Sequence, residues 1–319
     1  VRHTSLHPED NADHYGWAVG ADGNLVAIGA WEDKVATSNV TGGYTNPTGS
    51  HGGVYVYKTS DNGTNWPFHA YLKPTSLLDG NSTAMTFGRA VVVKGDFVFV
   101  GAPKEDWDFS DSSSKGEIGA VYVFKIKDIT QATNAVHTSD NWEQISVIQP
   151  DEISITYGDQ YGAYISVHEN FMAVSALEED SANSDINNND ASKSGVVYVF
   201  KTTDNWQTRT QVARLKSNSP QNNDYFGFGI AMNSTTIVVS EYHINNCTVH
   251  YYNTSDNGDT WSYTGTIPVP GGNAKNKRFG FAIDMKENYL AIGAPTNGNG
   301  SVHMFKTTDN GSTWVHKQN

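Results

Sequence analysis

Three features recur five times along this 319-residue chain: an aromatic–Gly pair opening an apolar strand, a third strand of alternating Val and aromatic residues, and a Trp behind an Asp-bearing turn. Together they predict an all-β fold, a five-bladed β-propeller of four-stranded antiparallel blades, each copy about 64 residues long. The copies centre on residues 16–66, 88–142, 162–206, 227–261 and 280–314, within one domain spanning 1–319.

The first strand follows Tyr15-Gly16, Phe87-Gly88, Tyr161-Gly162, Phe226-Gly227 and Phe279-Gly280. The Gly permits a positive φ or a close backbone approach, and the aromatic is expected to wedge between adjacent blades. A short polar turn then leads to a second strand that is nearly continuously apolar, as in FVFVGA. Such runs suit a sheet covered on both faces. The third strand reads GVYVYK, AVYVFK, VVYVFK, TVHYYN or SVHMFK, and its period of two places Val and Tyr or Phe on opposite faces. The fourth strand begins at Trp66, Trp142, Trp206, Trp261 and Trp314. Each Trp follows an Asp (Asp61, Asp140, Asp204, Asp256, Asp309) that is expected to accept turn N–H groups, a structural role. The last Trp leaves too few residues for a full fourth strand. The segment Val1–Pro8 resembles the missing ending, so the N- and C-terminal segments are expected to pair and close the fifth blade. The rival reading is a piece of a longer array.

Composition narrows the function classes. Net charge is −13 with 21 basic residues and no basic run, which disfavours nucleic acid and anionic membrane surfaces as partners. No apolar run approaches the length of a membrane-spanning helix. The chain opens at Val1 without a signal peptide, which reads as a mature or excised product. A single cysteine, Cys247, excludes internal disulfides. Glycosylation sequons start at Asn39, Asn62, Asn81, Asn233, Asn246, Asn253, Asn299 and Asn310 and point to a secreted or cell-surface protein.

The aromatic–Gly, Gly-Ala-Pro and Gly-X-Val-Tyr-Val-Phe series resembles the FG-GAP repeats of integrin α-chains. The turns before each Trp resemble the Asp-box of sialidases. The resemblance covers nearly the whole chain and implies the propeller fold, with adhesion or extracellular assembly as its functional association. The integrin-type calcium loop between strands one and two is absent: KGD, HEN, NST and KEN stand there, with ADGN in the first copy, and offer too few oxygen ligands.

Strand two–three links and blade-to-blade links share one face of a blade. The long links 31–51, 104–117 and 177–194 should therefore gather on one side, with short ones at 242–247 and 296–300. Two of the long links are acidic, with Glu105 in the first and Glu178 and Glu179 in the second. They offer Asp106, Asp108 and Asp111, and Asp185, Asn187 and Asp190, as oxygen ligands for Ca²⁺; the alternative is plain solvated loops. No catalytic constellation is visible, and His243 and His250 sit at strand spacing. The expected function is a secreted, non-enzymatic binding or structural module in adhesion or an extracellular assembly. Its partner would be a protein, a glycan or further copies of the chain. A carbohydrate-binding lectin is the alternative, and a sialidase-like glycoside hydrolase a more distant one.

Overall fold

The computed structural model describes residues 13–33, 51–74, 85–108, 113–114, 116–127, 141–151, 158–182, 189–243, 246–272, 278–296 and 299–318. The chain forms two compact units, one of residues 1–149 with 161–163 and one of 150–160 with 164–319. The described residues build five four-stranded antiparallel sheets and contain no α-helix, the fold class of a five-bladed β-propeller. The expected pairing of the N-terminal segment lies outside the described residues.

The first unit holds two blades. Blade one is β1 (Tyr15–Asp22), β2 (Leu25–Ala30), β3 (Gly53–Lys58) and β4 (Phe68–Leu72). Blade two is β5 (Ala90–Lys94), β6 (Phe97–Ala102), β9 (Ala120–Ile126) and β10 (Trp142–Ile148). Its long link forms a small hairpin of β7 (Trp107–Asp108) and β8 (Ser113–Ser114). The second unit holds three blades, apart from Tyr161–Ala163, the first three residues of the opening strand of blade three. Blade three is β11 (Tyr161–His168), β12 (Phe171–Ala176), β13 (Val196–Lys201) and β14 (Thr210–Leu215). Blade four is β15 (Gly229–Met232), β16 (Thr236–His243), β17 (Asn246–Asn253) and β18 (Ser262–Thr266). Blade five is β19 (Ile283–Lys286), β20 (Tyr289–Ala294), β21 (Ser301–Lys306) and β22 (Val315–Gln318). In every blade the register slips between the third and fourth strands, a bulge that adds local twist. The fourth strand begins at its Trp only in blade two; elsewhere the Asp-bearing turn delays it by one to four residues.

Within the first unit the aromatic–Gly pair clips blade two to blade one, and within the second unit it clips blades four and five to the blade before each. Phe87 is fully buried against Tyr122 and Phe124 of its own third strand and shares a core cluster with Val54 and Val56 of blade one. Its N–H donates to the His51 carbonyl, as Phe226 N–H does to Ser194. The following Gly88 takes φ +95°, a conformation that strains any residue bearing a Cβ. The expected wedge is therefore seen, with the ring on one blade and the backbone hooked to its neighbour.

Blade five differs on one face. Val54, Val121, Val197 and Val249, each near the start of a third strand, have no exposed surface, whereas the equivalent Val302 is 55% exposed. Tyr289 and Val315 of the same blade are about half exposed. In the first unit, Trp17 and Val19 of β1 are similarly open.

The Asp-bearing turns behave as read. Asp309 accepts from Thr313 N–H at 2.9 Å and Thr307 hydroxyl at 2.7 Å, and Asp61 and Asp256 repeat the pattern. These donors hold all three carboxyls down at about 2. The Trp packs beneath in Trp142, Trp206 and Trp261, but Trp66 stays 37% exposed and instead donates its indole N–H to the Gly63 carbonyl. Asp140 lies outside the described residues.

Candidate functional site: a polar cleft on blades three and four

Strand two–three links are anchored by buried acids. Three residues past the Ala that ends strand two stand Asp33, Glu105 and Glu179, each almost wholly buried. Their carbonyls accept from the Gly that opens strand three, at 3.1, 2.9 and 3.0 Å. Asp33 accepts the hydroxyls of Tyr55 and Tyr71, and Glu105 that of Tyr122. Glu179 is gripped by Arg214 and Lys216, each at 2.6 Å. Glu105 and Glu179 are thus not loop acids open to solvent. The signal that could have placed them is the fixed spacing from Ala to acid, matched by a Tyr in strand three.

Blade four changes this pattern, and a cleft opens beside it within the second unit. Glu241 replaces the strand-ending Ala, and His250 replaces the strand-three Tyr. His250 Nε2 lies 3.0 Å from Glu241 Oε2, with the imidazole 5% and the carboxylate 10% exposed. Nδ1 of His250 is buried and has no hydrogen-bond partner among the described residues. The pair forms one wall of a cavity of about 850 Å³. The blade-to-blade segment 217–222 forms a second wall and the blade-three link, with Asp190, a third. The sequence rule that these two kinds of link share a side is what brings the walls together.

Asp224 also lines this cavity. Its Oδ2 accepts from Gln221 N–H at 2.6 Å, while burial and then the Glu241 charge raise its carboxyl above the ordinary range. Tyr263, 40% exposed, presents its ring 6.0 Å from His250 and 5.6 Å from Tyr252. Among the described residues that line the cleft none is Lys or Arg. Alternation along β16 sends Tyr242 to the other face, where it stacks on Phe228 at 4.7 Å. Cys247 is buried, its thiol donates to the His243 carbonyl, and burial raises its pKa, so it stays a thiol.

No family model and no curated protein sequence matches the chain. Two solved structures are similar in backbone. One is a candidate 6-phosphogluconolactonase from Bacteroides uniformis ATCC 8492, at 9% identity and TM-score 0.49, covering 94% of this chain and 70% of its own. The other is Saccharomyces cerevisiae Sqt1, at 13% identity and TM-score 0.48, covering 96% of this chain and 63% of its own.

Of the residues singled out for Ca²⁺, Asp106, Asp108 and Asp190 fall among the described residues. Asp106 is 8% exposed and its Oδ1 accepts from Glu117 N–H at 2.7 Å, an internal brace of the link. Asp180 braces blade three the same way through Lys193 N–H. Asp108 lies on β7, Asp190 accepts from Ala182 N–H, and Asp111, Asp185 and Asn187 lie outside the described residues. Among the described residues no group of three or more His, Cys, Asp or Glu side chains is placed to hold a metal ion. Of the sequons, Asn62, Asn299 and Asn310 are exposed, while Asn39 and Asn81 lie outside the described residues. Asn246 falls on β17. Asn233 caps its turn, accepting from Thr235 and Thr236 N–H groups. Asn253 commits its amide to Thr235, Thr236 and Asn310.

Proposed function

We propose that this chain is a non-enzymatic binding module of the secreted or cell-surface kind, and that the blade three–four cleft is where it takes its ligand. One observation carries the reading. The cleft is recessed and polar, its volume falls within the range of small-ligand sites, and its inward groups stand on paired strands and braced links. The chemistry of the cleft favours holding over turnover. Glu241 could orient His250 as a base, but among the described residues no hydroxyl or thiol sits on the other ring nitrogen for it to activate. The sequons and the acidic charge fit an extracellular setting. Binding of the purified chain to immobilised glycans and extracellular-matrix proteins tests the proposal. Retention that drops about tenfold with Tyr263→Ala is expected, and retention unchanged by that variant would place the ligand elsewhere.

A hydrolytic reading has a single observation in its favour. Asp224 and Glu241 share the cleft in different states, one raised towards the protonated form and one paired with an imidazole. Turnover of a fluorogenic glycoside panel that is abolished by Asp224→Asn would decide for it.

A further inference from the structure

We propose that the ligand of the blade three–four cleft is a carbohydrate without acidic groups, a neutral hexose or hexosamine unit; this rests on the binding-module reading above. The walls state the chemistry. Asp190, Asp224 and Glu241 supply acceptors, and the amides of Asn218 and Asn222 supply both donors and acceptors. Such a set fits a ligand whose every polar group both donates and accepts, as a sugar hydroxyl does. The half-exposed ring of Tyr263 offers a flat apolar surface at the same opening. A pyranose has an apolar C–H face and a rim of hydroxyls, and so matches both surfaces at once.

His250 is the independent pointer to a ligand. A buried ring nitrogen without a partner costs free energy, and native structures rarely leave one so. Nε2 is committed to Glu241, so Nδ1 is the ring atom left for a ligand hydroxyl or water, which reaches it once the side chains over it shift. Charge sets the limits of the class. With three carboxylates and no Lys or Arg among the described residues that line it, the cleft repels carboxylate, sulfate and phosphate groups. Sialic acids and uronic acids, which are read by arginine or lysine, are excluded on that ground.

The test is isothermal titration of the full chain with methyl glucoside, methyl galactoside, methyl mannoside, N-acetylglucosamine, galactosamine, glucuronate and N-acetylneuraminate. At least one sugar without an acidic group is expected to bind, with both acids at least tenfold weaker. Tyr263→Ala and Asn222→Ala, both at exposed positions, should each weaken that binding about tenfold while leaving the thermal transition in place. The His250 imidazole ¹⁵N resonances should shift on saturation. Equal or tighter binding of the acids overturns the proposal, as does sugar binding indifferent to both variants with His250 unmoved. Capture of a protein through the cleft with every sugar silent overturns the sugar and leaves the binding module standing. Silence towards every sugar, glycan and matrix protein removes both.

Discussion

Asp159 illustrates how one buried residue can set the pH profile of a blade. It is 7% exposed, one carboxylate oxygen has no partner among the described residues, and burial, then Glu179 and Asp180, raise its pKa to about 7 against the pull of Lys216 and Arg214. The ordinary value is 3.8, so between there and 7 the folded chain holds a proton that the unfolded chain has lost. Stability should therefore fall as pH rises across that window, then level off above it. The scale is ~1.4 kcal/mol per pKa unit, an upper limit of about 4 kcal/mol for this group. Asp159→Asn removes the charge, so its melting temperature should stay flat from pH 4 to 7 and exceed that of the parent at pH 8. A variant profile parallel to the parent would show that Asp159 ionises freely. The turn acids Asp61, Asp256 and Asp309 act with the opposite sign, adding stability that is lost as pH falls from 3.8 towards about 2.

At the scale of elements, one glycine position carries two opposite predictions. Gly101 is the penultimate residue of β6, where a Cβ would lie 2.0 Å from the carbonyl oxygen of Gly162, and Gly29 meets Gly88 in the same way. Gly293 occupies that position in β20, but its nearest contact is Ala282 at 3.6 Å. Gly101→Ala should cost at least ~2 kcal/mol, because the obstacle is backbone and cannot swing aside. Gly293→Ala should fall within about 0.5 kcal/mol of the parent. Equilibrium urea unfolding measures both, and equal costs would refute the distinction.

These element-scale contrasts also mark where the sequence is legible. The aromatic–Gly pairs, the alternating third strands and the Asp turns announced four-stranded blades because each answers a local demand: a positive φ, a two-sided sheet, a capped turn. The cleft was harder to read. Glu241 replaces the Ala of the other four blades and His250 the Tyr of blades one to three, so the signal is a departure from a repeat. Their meeting depends on the register of β16 with β17, in which Glu241 faces Thr248 and Val239 faces His250. Glu105 and Glu179 misled for a similar reason, since an acid in a long polar link looks solvated until its partners Tyr122, Arg214 and Lys216 are brought over it.

For the whole molecule, each blade face must meet either the rest of the chain, another molecule or solvent. A blade is a sheet with two apolar faces, stable only when both are covered. Val249 of blade four is fully buried among Val238, Ile267 and Phe279, the last supplied by blade five. Val302 has the same place in blade five and is 55% exposed, and at the other end of the same strand pair the half-exposed ring of Tyr289 lies under Lys306 at 4.9 Å. Val249→Asp should abolish cooperative folding, because an unpaired carboxylate would be trapped in a core. Val302→Asp should unfold within about 0.5 kcal/mol of the parent, as a surface substitution does. Urea melts of both variants at two protein concentrations settle the matter. A cost for Val302→Asp approaching that of Val249→Asp, at both concentrations, would mean that blade five is covered from within the chain. A cost that appears only at the higher concentration would mean that another molecule covers it.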